Sequence, residues 1–365
     1  MSDKLTELLK IMCELPGPPG QEQAVRNFIA DEMKPFCREV REDPLGNLIV
    51  EAGAEDGYKV GVLAHMDEVG FIVSSISDRG LIGFELMGNI DARCLLNCEV
   101  DLISQNDTLI RGVIGNLSRH LQTEEELQER VSHRNLWIDI GVSSLQEVEK
   151  QGIRIGSGIV FATKFHLYPN GAIIGKGLDN RVGCAVLIEA IKVLGSRLRG
   201  TTLYGMFTCQ EEIGAKGAQV VAFDSRPQMT ITLDTVPTKN PDKTAPRDID
   251  INRGPVIRLF DWLPSAKLGM FTHPAIKDRM LTAAQEIEIP CQVDVLTSTY
   301  LDSAQAHLTA GGIPGGAICI PRRYSHSAVE LGHMNDITHS LRLLTKVIED
   351  LDKKPIEFGR VYSLK

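Results

Sequence analysis

From about residue 172 onward, strand-like apolar runs alternate with helix-patterned segments, and this alternation limits the possible folds more than any other feature. "GAIIGKGLDN" leads into the long helical pattern "RVGCAVLIEAIKVLG", and the runs "TTLYGMFTC", "MTITLD", "PVIRLF", "CQVDVL" and "GAICIP" follow with helical segments between them. Such an order predicts an α/β fold, with a mainly parallel mixed sheet sandwiched by helices. Two helix patterns open the chain, the second being "QEQAVRNFIADEMKPF", and the strands "NLIVEAG" and "YKVGVLAHMD" come next. Between about Phe71 and Phe165 the pattern changes to short β-rich runs separated by turns, such as "CEVDLIS" and "TLIRGVIG", with the charged excursion "TEEELQERVSH" among them. The expected organisation is a discontinuous α/β domain, residues 1–70 and 166–365, interrupted by a small β-rich domain at 71–165.

A chain of 365 residues has enough length for a large core. Its 43% hydrophobic and 24% charged residues are those of an ordinary soluble globule. A net charge of −9 without a Lys/Arg block argues against nucleic acid or an anionic membrane as partner and leaves small solutes or peptides. The eight cysteines are scattered with no CxxC pair, which reads as reduced core thiols of a cytoplasmic protein. Leu5, Leu8, Leu9 and Met12 make the N-terminal segment an amphipathic helix that ends at Pro16 and Gly17, not a signal peptide. No later apolar stretch is long enough to span a bilayer.

Acids and histidines recur where the apolar runs end. His65 and Asp67, two apart in "LAHMDEVGF", should project from one face. A satisfied strand-end histidine beside a solvated acid would look the same. Asp179 precedes a helix, where Asp is also a preferred N-cap; Gly175 and Gly177 before it suggest a close backbone approach that a cap does not require. Glu211 and Glu212 stand between a strand and a helix, where a helix dipole would also favour them. Adjacent residues diverge by about 100° on a helix, so the two glutamates are suited to different tasks. Asp234 closes "MTITLD" at the kind of strand end where open α/β folds gather ligands, or is simply a turn residue. His326 follows the strand "GAICIP", and alone would be read as structural. Together, His, Asp, Glu, Asp and His at successive strand ends match the ligand demand of two divalent cations. Asp179, Glu212 and Asp234 bring three negative charges against four positive ones, which leaves charge to polarise a carbonyl and acidify water. On this reading Glu212 binds metal and Glu211 handles protons.

At these residues the chain resembles the tetrahedral (TET) aminopeptidase family, which includes glutamyl and deblocking aminopeptidases and was once partly labelled as endoglucanases. The resemblance is carried by "AHMDEVGF", "NLWIDIGVSS", "GKGLDNRVGCAVLIEA", "TCQEEIGAKGA", "RGPVI" and "RYSHSAVE", in order along nearly the whole chain. It implies a zinc-exopeptidase-like fold and a metalloaminopeptidase with a two-metal site. It places His65 and Asp234 on one metal and Glu212 and His326 on the other, with Asp179 bridging. Glu211 then falls at the general-base position and Asp67 at the acid that orients His65. The donor set suits zinc, and cobalt or manganese fit it too. The resemblance further implies that residues 71–165 form a dimerisation domain and that the chain builds a homo-oligomer, a dodecamer made of dimers, acting on peptides.

The chain departs from the family pattern at "TSTYLDSAQAHL", where Asp302 keeps the acid's place, and at "TVPTKNPDKTAPRD" after Asp234. Both segments could line the substrate pocket. Arg322 replaces a residue usually small in relatives, and with Arg323 it could attract an acidic side chain or simply be solvated. Three alternatives have distinct signatures. A deacylase or carboxypeptidase on a similar core would tolerate a blocked α-amine. An endoglucanase would need aromatic platforms, yet Trp137 and Trp262 lie away from the motifs. A non-catalytic homologue would bind metal without turnover.

Overall fold

The computed structural model describes residues 2–238 and 248–359. Part of the divergent segment after Asp234, residues 239–247, lies outside the described residues. Among the described residues the main sheet has nine strands, and its centre is four parallel neighbours: Thr201–Thr208, Tyr58–His65, Met229–Pro237 and Gly315–Arg322. Leu48–Gly53 and Glu39–Glu42 extend one side by antiparallel pairing. Val256–Leu263 joins the other side antiparallel to Gly315–Arg322, and Leu268–Phe271 and Gln292–Leu296 both pair with it.

Helices on both faces explain why the central strands read as near-continuous apolar runs. Val60, Val62 and Ala64 point into one core with Leu5, Leu9, Val25, Ile29, Val186, Leu187, Leu344 and Val347. These come from the helices Ser2–Glu14, Gln23–Met33, Leu178–Leu194 and Met334–Lys353. Leu63 points the opposite way, into a second core with Ala218, Val221, Ala222 and Ala306. The helix Leu178–Leu194 is itself almost wholly buried, which is why its sequence shows little polar face.

Six strands between Gly70 and Phe161 close into a barrel with its own core, in which Phe71 meets Phe84 and Phe161 edge-on at 5.3 and 5.1 Å. The charged excursion is a short exposed helix, Glu124–Gln128, begun by a capping box of Thr123 and Glu126. Among the described residues, no helix is long and apolar enough to cross a membrane.

Candidate active site

The parallel strands deliver their C-terminal ends to one edge of the sheet, and the seven residues singled out from the sequence meet there. His65 Nε2 lies 3.2 Å from Asp179 Oδ1, 3.6 Å from Asp234 Oδ1 and 4.0 Å from Glu211 Oε2. His326 Nε2 lies 3.3 Å from Asp179 Oδ2 and 3.4 Å from Glu212 Oε2. Both histidines turn Nδ1 to a backbone carbonyl: that of Asp67 at 3.1 Å for His65 and that of Asn89 at 3.0 Å for His326. Such anchoring fixes ring orientation and leaves Nε2 facing the site. Asn89 belongs to the barrel side of the molecule, so the site is walled by both parts.

The local backbone explains how each donor is aimed. Asp179 lies in the first turn of the helix Leu178–Leu194 and does not cap it. It has a non-helical ψ of 105°, and Asn180 instead takes the Gly183 N–H at 3.1 Å, leaving the Asp179 carboxylate free to point into the site. Gly177 has φ 58°, and an added Cβ would sit 2.9 Å from Glu68 Oε2, so the close approach read from the glycines is real there. Gly175 shows no such need, since the nearest heavy atom to its added Cβ is at 3.7 Å. Glu211 and Glu212 also lie outside the following helix, which begins only at Lys216. The helix-dipole explanation of the acid pair therefore fails. Their turn is held by carboxylates: Glu22 accepts from Gln210 N at 3.1 Å, and the two Asp67 oxygens accept from Glu211 N and Glu212 N, each at 3.0 Å. Asp67 carboxylate is 3.6 Å from His65 Nδ1, so its closest polar contacts are with the glutamate turn and not with the imidazole. Gln210 and His326 both have left-handed backbones, with φ 56° and 55°, a strain typical of sites that need a side chain aimed.

The electrostatics describe an acid cluster short of positive charge. Burial, reinforced by Asp179, pushes Glu212 up to about 8 although His326 opposes it. Burial raises Glu211 well above the usual carboxylate range, and Asp234 and Glu212 add to this. Asp234 is raised by burial too, while Asp302, whose carboxylate accepts the Thr208 hydroxyl, rises to about 7 for the same first reason. Asp179 goes the other way: burial is outweighed by the Arg322 guanidinium and by contacts with His326 and His65, which hold it well below its ordinary value. Burial lowers His65, but the carboxylates of Asp179, Asp234 and Asp67 gathered around its ring prevail and raise it well above a normal imidazole. The buried oxygens Asp179 Oδ1 and Glu212 Oε1 meet no hydrogen-bond geometry at all.

These orphaned oxygens and the N/O donor set fit divalent cations. Two groups have ligand atoms within 4.8 Å of one another: His65, Asp179 and Asp234, and Asp179, Glu212 and His326, with Asp179 shared. They line a cleft of about 490 Å³, whose lining also includes Leu263, Ser265, Leu296, Ser298, Thr299 and Tyr300. The "TSTYLDSAQAHL" segment thus does reach the cleft. Arg322, expected to be solvated or to be a lure for acidic side chains, is instead buried and already engaged by Asp179 and Glu330. Arg323 pairs with Asp250 at 2.9 Å. Sequence reasoning missed Glu330, which accepts from Asp179 N and His326 N at 2.9 Å each, and Glu22. The available signal for Glu330 was its place four residues after His326 within "RYSHSAVE"; Glu22 gave none.

Comparison with known proteins agrees with the geometry. A family profile described as M42 glutamyl aminopeptidase matches residues 46–343. A putative aminopeptidase of Acetivibrio thermocellus is 34% identical over 346 residues, covering 95% of this chain and 99% of the relative. The lysyl aminopeptidase of Pyrococcus furiosus is 30% identical, covering 96% and 98%. Among solved structures, the Pyrococcus horikoshii TET1 peptidase, which can assemble into a tetrahedron or a large octahedral shell, superposes with a TM-score of 0.83 at 31% identity, covering 94% of this chain and 98% of that one. The fold, the convergent donors and these likenesses lead to one conclusion: the chain belongs to the M42 glutamyl aminopeptidase family of metallo-type peptidases.

Proposed function

We propose that this M42 aminopeptidase removes N-terminal amino acids from peptides with the help of two divalent cations. The observation that carries this is the pair of overlapping donor triads sharing Asp179. His65 and Asp234 would hold one ion, Glu212 and His326 the other, and Asp179 would bridge them. Zinc suits the donors, and cobalt or manganese could replace it. When bound, the ions lower the pKa of water and polarise the scissile carbonyl.

Glu211 is the proton carrier. It is buried beside the donors without a place in either triad, and burial raises its proton affinity. Its carboxylate takes a proton from the attacking water and gives it to the departing amine. Asp67 positions this step by gripping the Glu211 and Glu212 amides. Tyr300, whose hydroxyl donates to the Glu211 carbonyl at 3.3 Å, lines the cleft beside the glutamate turn.

Residues 71–165 are assigned as the dimerisation domain, with the catalytic domain formed by 1–70 and 166–365. The chain is inferred to work in the cytoplasm as a homo-oligomer, by analogy with the shells formed by the P. horikoshii peptidase. The reading is tested with aminoacyl anilides and their N-acetylated counterparts, with and without chelator. Cleavage of free-amine substrates alone, abolished by the chelator and restored by added metal, is expected. Cleavage of the acetylated series would indicate a deacylase, and release of reducing ends from a soluble β-glucan would indicate a glycosidase.

A further inference from the structure

Arg322 ends the strand Gly315–Arg322 inside the site and is only 3% exposed. Three contacts fix its guanidinium: Nε donates to Thr235 Oγ1 at 2.7 Å, Nη1 lies 2.8 Å from Glu330 Oε1, and Nη2 donates to Asp179 Oδ2. The Asp179 oxygen it touches is the one that His326 Nε2 approaches at 3.3 Å. The other oxygen, Oδ1, faces His65 at 3.2 Å and has no guanidinium on it. The permanent positive charge therefore stands on one side of the shared carboxylate only.

We propose that Arg322 makes the two cation positions unequal, so that the His65/Asp234 position fills first and the Glu212/His326 position binds more weakly. The proposal rests on the two-cation reading above. Arginine keeps its charge at any working pH, and burial with three anchors prevents it from swinging away when a dication arrives. A unit charge and a dication a few ångströms apart repel even in a polarisable interior. Glu330, 2.8 Å from Nη1, offsets part of this repulsion, but its oxygens accept the backbone N–H groups of Asp179 and His326 and take no place in either donor triad. The same charge has a benefit without metal: it compensates Asp179 and Glu330, two buried carboxylates that would otherwise face each other. Arg322 is thus a positioning residue and a built-in partial substitute for the second ion.

The test is calorimetric titration of chelator-stripped protein with Co²⁺ alone, comparing wild type with R322M and R322K. Wild type should bind in two steps separated by about tenfold or more, and R322M should tighten the second step by about tenfold while changing the first by less than about threefold. R322K, which keeps a cation, should keep the wild-type gap. R322M should also melt at a lower temperature without metal and gain more from added Co²⁺ than wild type does. R322Q makes the same comparison if R322M does not fold. A second dissociation constant that is unchanged or weaker in the neutral variant overturns the role of Arg322. Binding of a single ion by every variant, wild type included, overturns instead the two-cation reading on which it rests.

Discussion

Two buried ionic clusters draw on the same two chain segments, near His65 and near Asp179, and differ in how their charges are met. Glu68 joins Lys176 at 2.7 Å and Arg181 at 3.2 Å, and all three side chains are within 3% of complete burial. Lys176 also donates to the Leu15 carbonyl at 3.0 Å, so this cluster sets its one acid against two cations from the chain itself, with Arg181 Nε and Nη1 left without a hydrogen-bond partner. Its neighbour at the strand ends gathers Asp179, Glu211, Glu212, Asp234 and Asp302 against two histidines and Arg322, leaves buried oxygens unpartnered, and opens on a cleft. The first cluster ties the loop after Tyr58–His65 to the start of Leu178–Leu194, the two segments that present Asp67 and Asp179. The second is incomplete without a cation from outside. The protein thus uses a cluster whose acid is matched by its own cations for rigidity, and keeps an acid-rich one that opens on the cleft for chemistry.

Substitutions on either side should separate these roles. The largest effect is expected from Glu211→Gln, which should lower kcat by on the order of 10²- to 10⁴-fold with metal content intact; single-turnover kinetics and metal analysis check both halves. Glu68→Ala should act on stability, because it strands two buried cations and should cost about 3–5 kcal/mol in urea unfolding. A cost that small perturbations match would dissolve the contrast between the clusters. Asp67→Asn replaces one acceptor of the glutamate turn by a donor, and a roughly 10- to 100-fold loss in kcat or metal affinity is expected, with the melting temperature nearly unchanged. The smallest effect belongs to Lys34→Ala. Its exposed pair with Asp31 should contribute less than about 1 kcal/mol, which thermal melts would register as no more than a slight shift.

Much of this was legible in the sequence because parallel strands bring their C-terminal ends together. Once "YKVGVLAHMD", "TTLYGMFTC", "MTITLD" and "GAICIP" are recognised as strands of one sheet, His65, Glu211, Glu212, Asp234 and His326 must lie near each other. The parallel registers of Thr208 with His65 and of Asp234 with Cys319 realise this. What stayed hidden depends on contacts that strand periodicity does not encode. Asp179 looked like a helix cap, and only the backbone reveals that Asn180 takes that task. The glutamate pair looked like a helix start, whereas Glu22 and Asp67, distant in sequence, hold it in a separate turn. Arg322 looked like a surface cation because its two buried acids, Asp179 and Glu330, approach from elsewhere in the chain. Charge at a sheet edge is visible in sequence; its compensation is a tertiary property.

The central claim is that the strand-end cluster is completed by two cations held through a shared aspartate. Equilibrium dialysis of chelator-stripped protein against excess Zn²⁺, followed by elemental analysis, tests it most directly. Two ions per chain, falling to one when His65 or His326 is replaced by alanine, is the predicted result. One ion or fewer at saturation, or two ions that survive both replacements, would contradict it.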